Sequence, residues 1–278
     1  MSGKAILPGI SILISLFFYS CKQSDPIPPE ETKGDLYFSG YYWNFKNSNE
    51  TLAGPGPNFF ASDSTNIWLD GDNQLHLKIT KTNNRWYCSE LISTRVFGYG
   101  TYIFTTSSDL TTLNEKIIFG LFTWDDHSFQ TQANSEVDIE FSRWNVANDS
   151  LLLTTSVQPV WFDNAAPYPE RTRKPKMQAS MLKHTCTSMF KWTPDLITWE
   201  TYEGSDYPGT NKLASWSFDK SNLPRTKTEG GRTSDPIVIP APSDSTNVRF
   251  NLWLLNGQAP SDNKEPEVVI KSFRFIPL

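Results

Sequence analysis

Glu136-Val137-Asp138-Ile139-Glu140-Phe141 sets three acids in strict alternation with three apolar residues. Successive side chains of a β-strand point to opposite faces, so this alternation predicts a strand buried on one side. Val137, Ile139 and Phe141 then face a core, and Glu136, Asp138 and Glu140 share the other face. At the rise of a strand the two glutamates start roughly 13 Å apart at Cα, with the aspartate between them. Side chains bending inward across a curved sheet bring two carboxyls toward the ~5–5.5 Å separation that retaining glycoside hydrolysis uses. Crowded acids repel, which raises at least one pKa and keeps a general acid protonated. The competing reading is a solvated strand face that carries three acids and no function. The rest of the chain decides between them.

Outward from this strand the sequence breaks into short strands and turns. Ile67-Trp68-Leu69 runs into Asp70-Gly71-Asp72-Asn73, then Gln74 to Thr80 alternates, which reads as a hairpin. Further strands are expected over residues 99–105, 116–123, 151–157, 196–202, 248–254 and 268–275. Helical periodicity is nearly absent, so the expected fold class is all-β, a sandwich or barrel. The proline-rich stretch 224–245 reads as one long surface loop at the rim of a cleft. No internal repeat and no second domain are apparent.

Bulk properties narrow the partners. The chain has 278 residues, enough for a substantial core. A net charge of −5 without a basic stripe argues against nucleic acid. Aromatic residues make up 14%, ten of them Trp, which suits both a packed core and the stacking of rings on sugars.

Residues 1–20 read as an export signal. Lys4 is the positive start, Ile6 to Phe18 the apolar run, and Ser20 the small residue before Cys21. The span is short for a transmembrane helix. Phe18-Tyr19-Ser20-Cys21 resembles a bacterial lipoprotein signal, with Phe18 where leucine is commonest, and implies that Cys21 carries a lipid anchor. Residues 21–36 then form a polar, proline-rich tether. The catalytic domain is expected over 37–278, on a protein exported to the cell envelope. Cys88 and Cys186 leave two alternatives open, one disulfide or two buried free thiols.

Several separated segments resemble glycoside hydrolase family 16. Glu136-Val137-Asp138-Ile139-Glu140 matches that family's E-x-D-x-E signature. Phe97-Gly98-Tyr99-Gly100-Thr101-Tyr102 is similar to its "fGYGxY" strand, and Trp192 to Trp199 to its "WTPDxIxW" strand, with His184 ahead of it. Asn251-Leu252-Trp253 is similar to its "NLW" strand. The four matches occur in family order between about residues 55 and 277. The resemblance implies a β-jelly-roll sandwich with a concave sugar-binding cleft. It also implies a retaining attack on β-linked polysaccharide, with Glu136 the nucleophile, Glu140 the general acid/base, and Asp138 tuning both. Asn251 and Trp253 would line the donor side of the cleft. Departures bear on substrate rather than chemistry. Asn134 stands where lichenases place a Trp, Ser142-Arg143-Trp144 replaces a common Leu-Gly, and Ile92 stands where lichenases carry a cleft arginine. The resemblance therefore does not extend to a lichenase.

Other residues complete the expectations. Trp124-Asp125-Asp126-His127 lacks a second ligand cluster and reads as a cleft-edge loop with Trp124 as a stacking platform rather than a metal site. Trp144 and Trp161 are further platforms or plain core, and Asn58, in a Gly-Pro-rich turn, reaches the cleft or only builds the turn. His76 and His184 read as structural. The chemistry requires no cofactor, and a structural calcium ion is left open without being indicated. The expected partner is polysaccharide, bound by a monomer that meets the membrane only through its lipid. A glycan-binding lipoprotein without turnover and a transglycosylase on the same scaffold are the alternatives.

Overall fold

The computed structural model describes residues 1, 3, 32–160, 170–177 and 179–278. Contacts divide the chain into residues 1–30 and 31–278, and the architecture below is that of the second unit. Most of the signal, Cys21 and most of the tether lie outside the described residues, as does Trp161. Among the described residues no helix is long and apolar enough to cross a membrane.

Two large sheets stack face to face as an open sandwich. The larger has ten strands. Its main path runs Leu36–Phe38, Tyr41–Phe45, Arg85–Ser93, Asn247–Leu254, Ile117–Trp124, Val137–Phe141, Leu153–Val157 and Thr172–Arg173. The smaller has seven, in the order Lys212–Asp219, Leu196–Glu203, Cys186–Trp192, Gly100–Thr106, Glu267–Pro277, Leu75–Lys78 and Ile67–Leu69. Neighbours on both paths pair antiparallel, and the central neighbours of each sheet are distant in sequence, which is the jelly-roll arrangement.

The sandwich holds together because its strands bury their apolar residues between the two sheets. Val137, Ile139 and Phe141 are all buried, as the alternation predicts. At the centre Trp43 packs on Phe250 with ring centroids 4.5 Å apart, and Phe104 packs on Phe273 at 5.2 Å. Each such ring contributes about 2–3 kcal/mol by burial, and favourable ring pairs add about 1 kcal/mol. Trp199 reaches across from the smaller sheet and donates its indole N–H to the carbonyl of Asp138 at 3.1 Å. The acid strand is thus pinned from its core side.

The Ile67–Leu69 and Leu75–Lys78 hairpin forms as the Asp-Gly signal predicts. Asp70 closes the turn by accepting from the backbone N–H of Asp72 and Gln74 at 2.9 and 2.8 Å. The expected long loop 224–245 is partly a β-arm instead. Arg225 pairs with Ile237, and Thr228–Glu229 pairs with Arg232–Thr233 around Gly230-Gly231, both at positive φ. The Gly-Gly turn lets the chain reverse where an L-residue would be strained. Cys88 and Cys186 are buried free thiols, one in each sheet, and Cys186 contacts the Thr106 hydroxyl at 3.1 Å. His76 is structural, stacked on Trp68 and held between Asp70 and Glu267.

Candidate active site

The outer face of the larger sheet floors a cavity of about 460 Å³. Its position follows from register. Across four neighbouring strands Glu90 pairs with Asn251, Asn251 with Gly120, and Gly120 with Glu140. One step along, Ile92, Arg249, Phe122 and Asp138 form the next row. Residues paired opposite each other share a face, so these rows present one continuous floor.

Glu136, Asp138 and Glu140 line this cavity together. Glu136 sits one residue ahead of the strand, where its carbonyl accepts from the Gln158 N–H at 3.1 Å. Ala133, Asn134 and Ser135, just before it, all adopt positive φ. That conformation is costly for residues with a Cβ and must be held by its surroundings. Here the Asn134 amide donates to the Asp125 carbonyl at 2.8 Å, and the buried Thr123 hydroxyl donates to the Ser135 carbonyl at 2.8 Å. The turn fixes how Glu136 enters the site.

Burial raises all three carboxyls. Glu136 is held well above the ordinary glutamate range, first by desolvation and then by the charges of Asp138 and Glu140, with Lys227 opposing. Glu140 is raised by desolvation and Asp138. Asp138, which is 4% exposed and hydrogen-bonded to Glu136, is pushed up to about 7 by desolvation, with Gln158 and Lys227 pulling the other way. Such a cluster holds a proton at neutral pH and can exchange it between adjacent oxygens.

The other end of the floor is charged but neutralised. Glu90 is fully buried, bonded to Lys46 at 3.1 Å and to Arg249 at 3.3 Å. Arg249 also reaches Asp126 at 2.8 Å and lies over the Trp124 ring at 5.5 Å. Burial works upward on Asp126, but Arg249 and the Trp124 N–H outweigh it and bring this carboxyl below its usual value. The Asn251 amide faces Glu90 at 3.5 Å, and its Oδ1 is buried without a hydrogen-bond partner. A buried acceptor left open costs about 1–3 kcal/mol. Gly120 makes room, since a Cβ there would lie 2.4 Å from that oxygen.

Of the expected site residues, the structure brings Glu136, Asp138, Glu140, Asn251, Trp253 and Trp124 to one cavity. Trp144 does not line it. Its indole donates to Thr154, whose Cα pairs with Glu140, at 3.1 Å. Asn58 is buried and does not line it either, because its amide is used on the Pro55 and Leu254 carbonyls, each at 2.8 Å. Its neighbours Gly54, Pro55 and Gly56 form that part of the wall. Asp125 is a buried hub that accepts from Ser243 and Ser245, and no metal-binding cluster occurs among the described residues.

Sequence reasoning missed Glu90, Arg249, Lys46, Gln158, Lys227 and Glu229. Arg249 carried a usable signal. In residues 247–252 polar and apolar residues alternate as strictly as in the acid strand, which places Arg249 on the face of Asn251. Ile92 pairs with Arg249 in the adjacent strand, and Arg249 lines the cavity.

Fold and site together define a jelly-roll protein with an acid-lined cleft. No family model matches the chain. Among curated proteins it is similar to the β-glucanase of Paenibacillus polymyxa, 31% identical over 137 residues, 49% of this chain and 52% of that protein. The β-glucanase of Paenibacillus macerans is 30% identical over the same length and coverage. The chain thus spans about half the length of the curated relatives it matches. Among solved structures, the Bacillus licheniformis β-glucanase superposes with a TM-score of 0.56 at 18% identity, over 88% of this chain and 95% of that one. The laminarinase from Flavobacterium sp. UMI-01 gives 0.58 at 13%, over 84% and 92%. These structural likenesses establish the fold.

Proposed function

We propose that this protein is a retaining glycoside hydrolase of family 16 that cleaves a β-linked polysaccharide, with a β-glucan as substrate. The observation that carries the reading is the set of three carboxyls on one strand and the residue leading into it, held above their ordinary range at the floor of a cavity whose lining Asn251 has a buried amide oxygen without a partner. The partial likeness to two β-glucanases supports the substrate class.

In this reading a carboxylate oxygen of Glu136 attacks the anomeric carbon while Glu140 gives its proton to the leaving oxygen. The glycosidic bond breaks and an ester to Glu136 forms. Glu140, now ionised, takes a proton from water, the water oxygen displaces Glu136 at the anomeric carbon, and configuration is retained. Asp138 accommodates the shared proton between the two. Asn251 Oδ1 accepts from a sugar hydroxyl, and Trp253 and Trp124 offer ring faces to the sugar. Two carboxyls and water suffice, so no cofactor is invoked.

We also propose that the chain is exported and lipid-anchored through Cys21. Incorporation of labelled palmitate by the wild type but not by Cys21→Ala tests this. For the activity, reducing-end release is measured on β-glucans, xyloglucan, agar, porphyran and carrageenans, with Glu136→Ala and Glu140→Ala as controls. Release from a β-glucan by the wild type alone is expected. Tight binding to a glycan without release overturns the hydrolase in favour of a binding protein.

A further inference from the structure

Among the cations lining the cavity, Lys46 and Arg249 are committed to buried Glu90, and Arg249 to Asp126 as well. Lys227 is different. Its ion-pair partner among the described residues is Glu229, whose side chain is 67% exposed. An exposed carboxylate is screened by water and offsets the lysine's field inside the cavity only in part.

Lys227 is also held in place. It lies in the β-arm, where its N–H donates to the Ser234 hydroxyl at 2.8 Å and its carbonyl accepts from the Ser234 N–H at 2.8 Å. The base of the arm is fastened to the segment that leads into Glu136. Ser135 donates to the Ala241 carbonyl at 2.8 Å, and the Ala241 N–H donates to Gln132 at 2.7 Å. Behind it Trp192 donates to the Pro240 carbonyl at 3.0 Å, while Asp125 accepts from Ser245 at 2.9 Å. The same residues that set the entry of Glu136 therefore set the position of the arm.

From this geometry we propose that Lys227 is the positioning residue that keeps Glu136 ionised for attack, with Glu229 as its counterweight. The proposal rests on the reading of Glu136 as the nucleophile. The charged groups around Glu136 are Asp138 and Glu140 on its own strand and Lys227 and Glu229 on the arm. Asp126 and Arg249 lie at the Trp124 end, and Glu90 and Lys46 lie across the cavity. Among these, Lys227 is the cation that opposes the upward pull of burial on Glu136, and it acts on Asp138 in the same direction.

The test is the pH profile of kcat/KM for wild type, Lys227→Met, Lys227→Arg and Glu229→Gln, with a carboxyl ¹³C NMR titration of the same proteins. Glu136→Gln assigns the Glu136 signal. Lys227→Met should move both the acidic limb and the Glu136 titration upward by about half to one pH unit. Lys227→Arg should restore them, and Glu229→Gln should move them downward. A merely structural lysine would lower the rate at every pH and leave the limb where it was. Turnover with an unmoved Glu136 titration overturns the role of Lys227 and leaves the hydrolase standing. A moved titration with no glycan cleaved by the wild type overturns the hydrolase and leaves the coupling of Lys227 to Glu136 established.

Discussion

Two acid clusters share the floor of one sheet and differ in what faces them. Glu90 is completely buried, yet two cations lie within 3.3 Å of it. Glu136, Asp138 and Glu140 are held by burial and by one another, with no ion pair among the described residues. Desolvation acts on both clusters, and the partner decides the outcome. A carboxylate matched by two cations is a fixture that shapes and charges a wall. Carboxylates crowded by like charges, with no ion pair of their own among the described residues, are held above their ordinary range. Burial alone does not set such a group apart; burial without a directly bonded cation does.

The strongest way to break this contrast is at the triplet. If Glu136 is the nucleophile proposed above, Glu136→Gln should lower kcat/KM by about 10⁴-fold or more on every substrate. Glu140→Gln should do the same on polysaccharide but cost far less in the first step on an aryl glycoside whose leaving group needs no proton. Rates on the two substrate types, measured side by side, separate the roles. Equal losses for both variants on both substrates would remove the distinction drawn between the two glutamates.

Next comes the neutralised end. Glu90→Gln leaves Lys46 and Arg249 facing each other without their shared carboxylate. Breaking a buried pair by removing one partner costs about 3–5 kcal/mol, and the lower end applies here because Lys46 is 20% exposed. Urea unfolding at pH 7 should show this loss. An unchanged midpoint would place Glu90 with the triplet rather than against it.

The triplet should respond in the opposite sense. Asp138 titrates at about 7 in the folded protein, against an ordinary aspartate value of 3.8 that the unfolded chain regains. Between these values the folded protein keeps a proton that the unfolded chain has released, so its stability falls as pH rises through that window. Asp138→Asn removes this dependence. It should stabilise the protein by on the order of 2 kcal/mol at pH 8 and by nothing near pH 3.5, read from thermal unfolding at both pH values. Destabilisation at pH 8 would show that hydrogen bonding, not desolvation, governs this carboxyl.

Much of this was legible in the sequence, for reasons that differ by residue. The acid strand announced its own faces, because Val137, Ile139 and Phe141 had to be buried and the acids could not follow them. The Asp70 to Asn73 turn was readable because its side-chain chemistry is local. The Glu90 cluster was not, because its members come from three segments that meet only through strand register. Lys227 and Glu229 were hidden in a stretch whose prolines and glycines read as loop, while the arm is built by pairing Arg225 with Ile237 and by fastening to residues 125–135. Asn58 misled in the other direction: its turn reaches the cavity, but its own amide faces the Leu254 carbonyl.

The smallest expected effect lies where the two clusters meet. Gly120 stands between Asn251 and Glu140 in a single register row, so the neutralised wall and the reactive acids touch through a residue with no side chain. Gly120→Ala places a methyl 2.4 Å from Asn251 Oδ1, and the asparagine must turn away from the cavity. The strand itself accepts alanine, since Gly120 has no positive φ to lose. Stability should therefore change by about 1 kcal/mol or less, while the acceptor for a sugar hydroxyl is displaced. The expected loss is about tenfold in kcat/KM, the worth of one hydrogen bond of roughly 1.4 kcal/mol, with the pH profile unmoved because no charge is altered. Asn251→Ala should then add little to Gly120→Ala in a double-mutant cycle. Full additivity would mean that the open amide oxygen and the glycine serve the substrate separately, and the floor would have to be read as two sites rather than one.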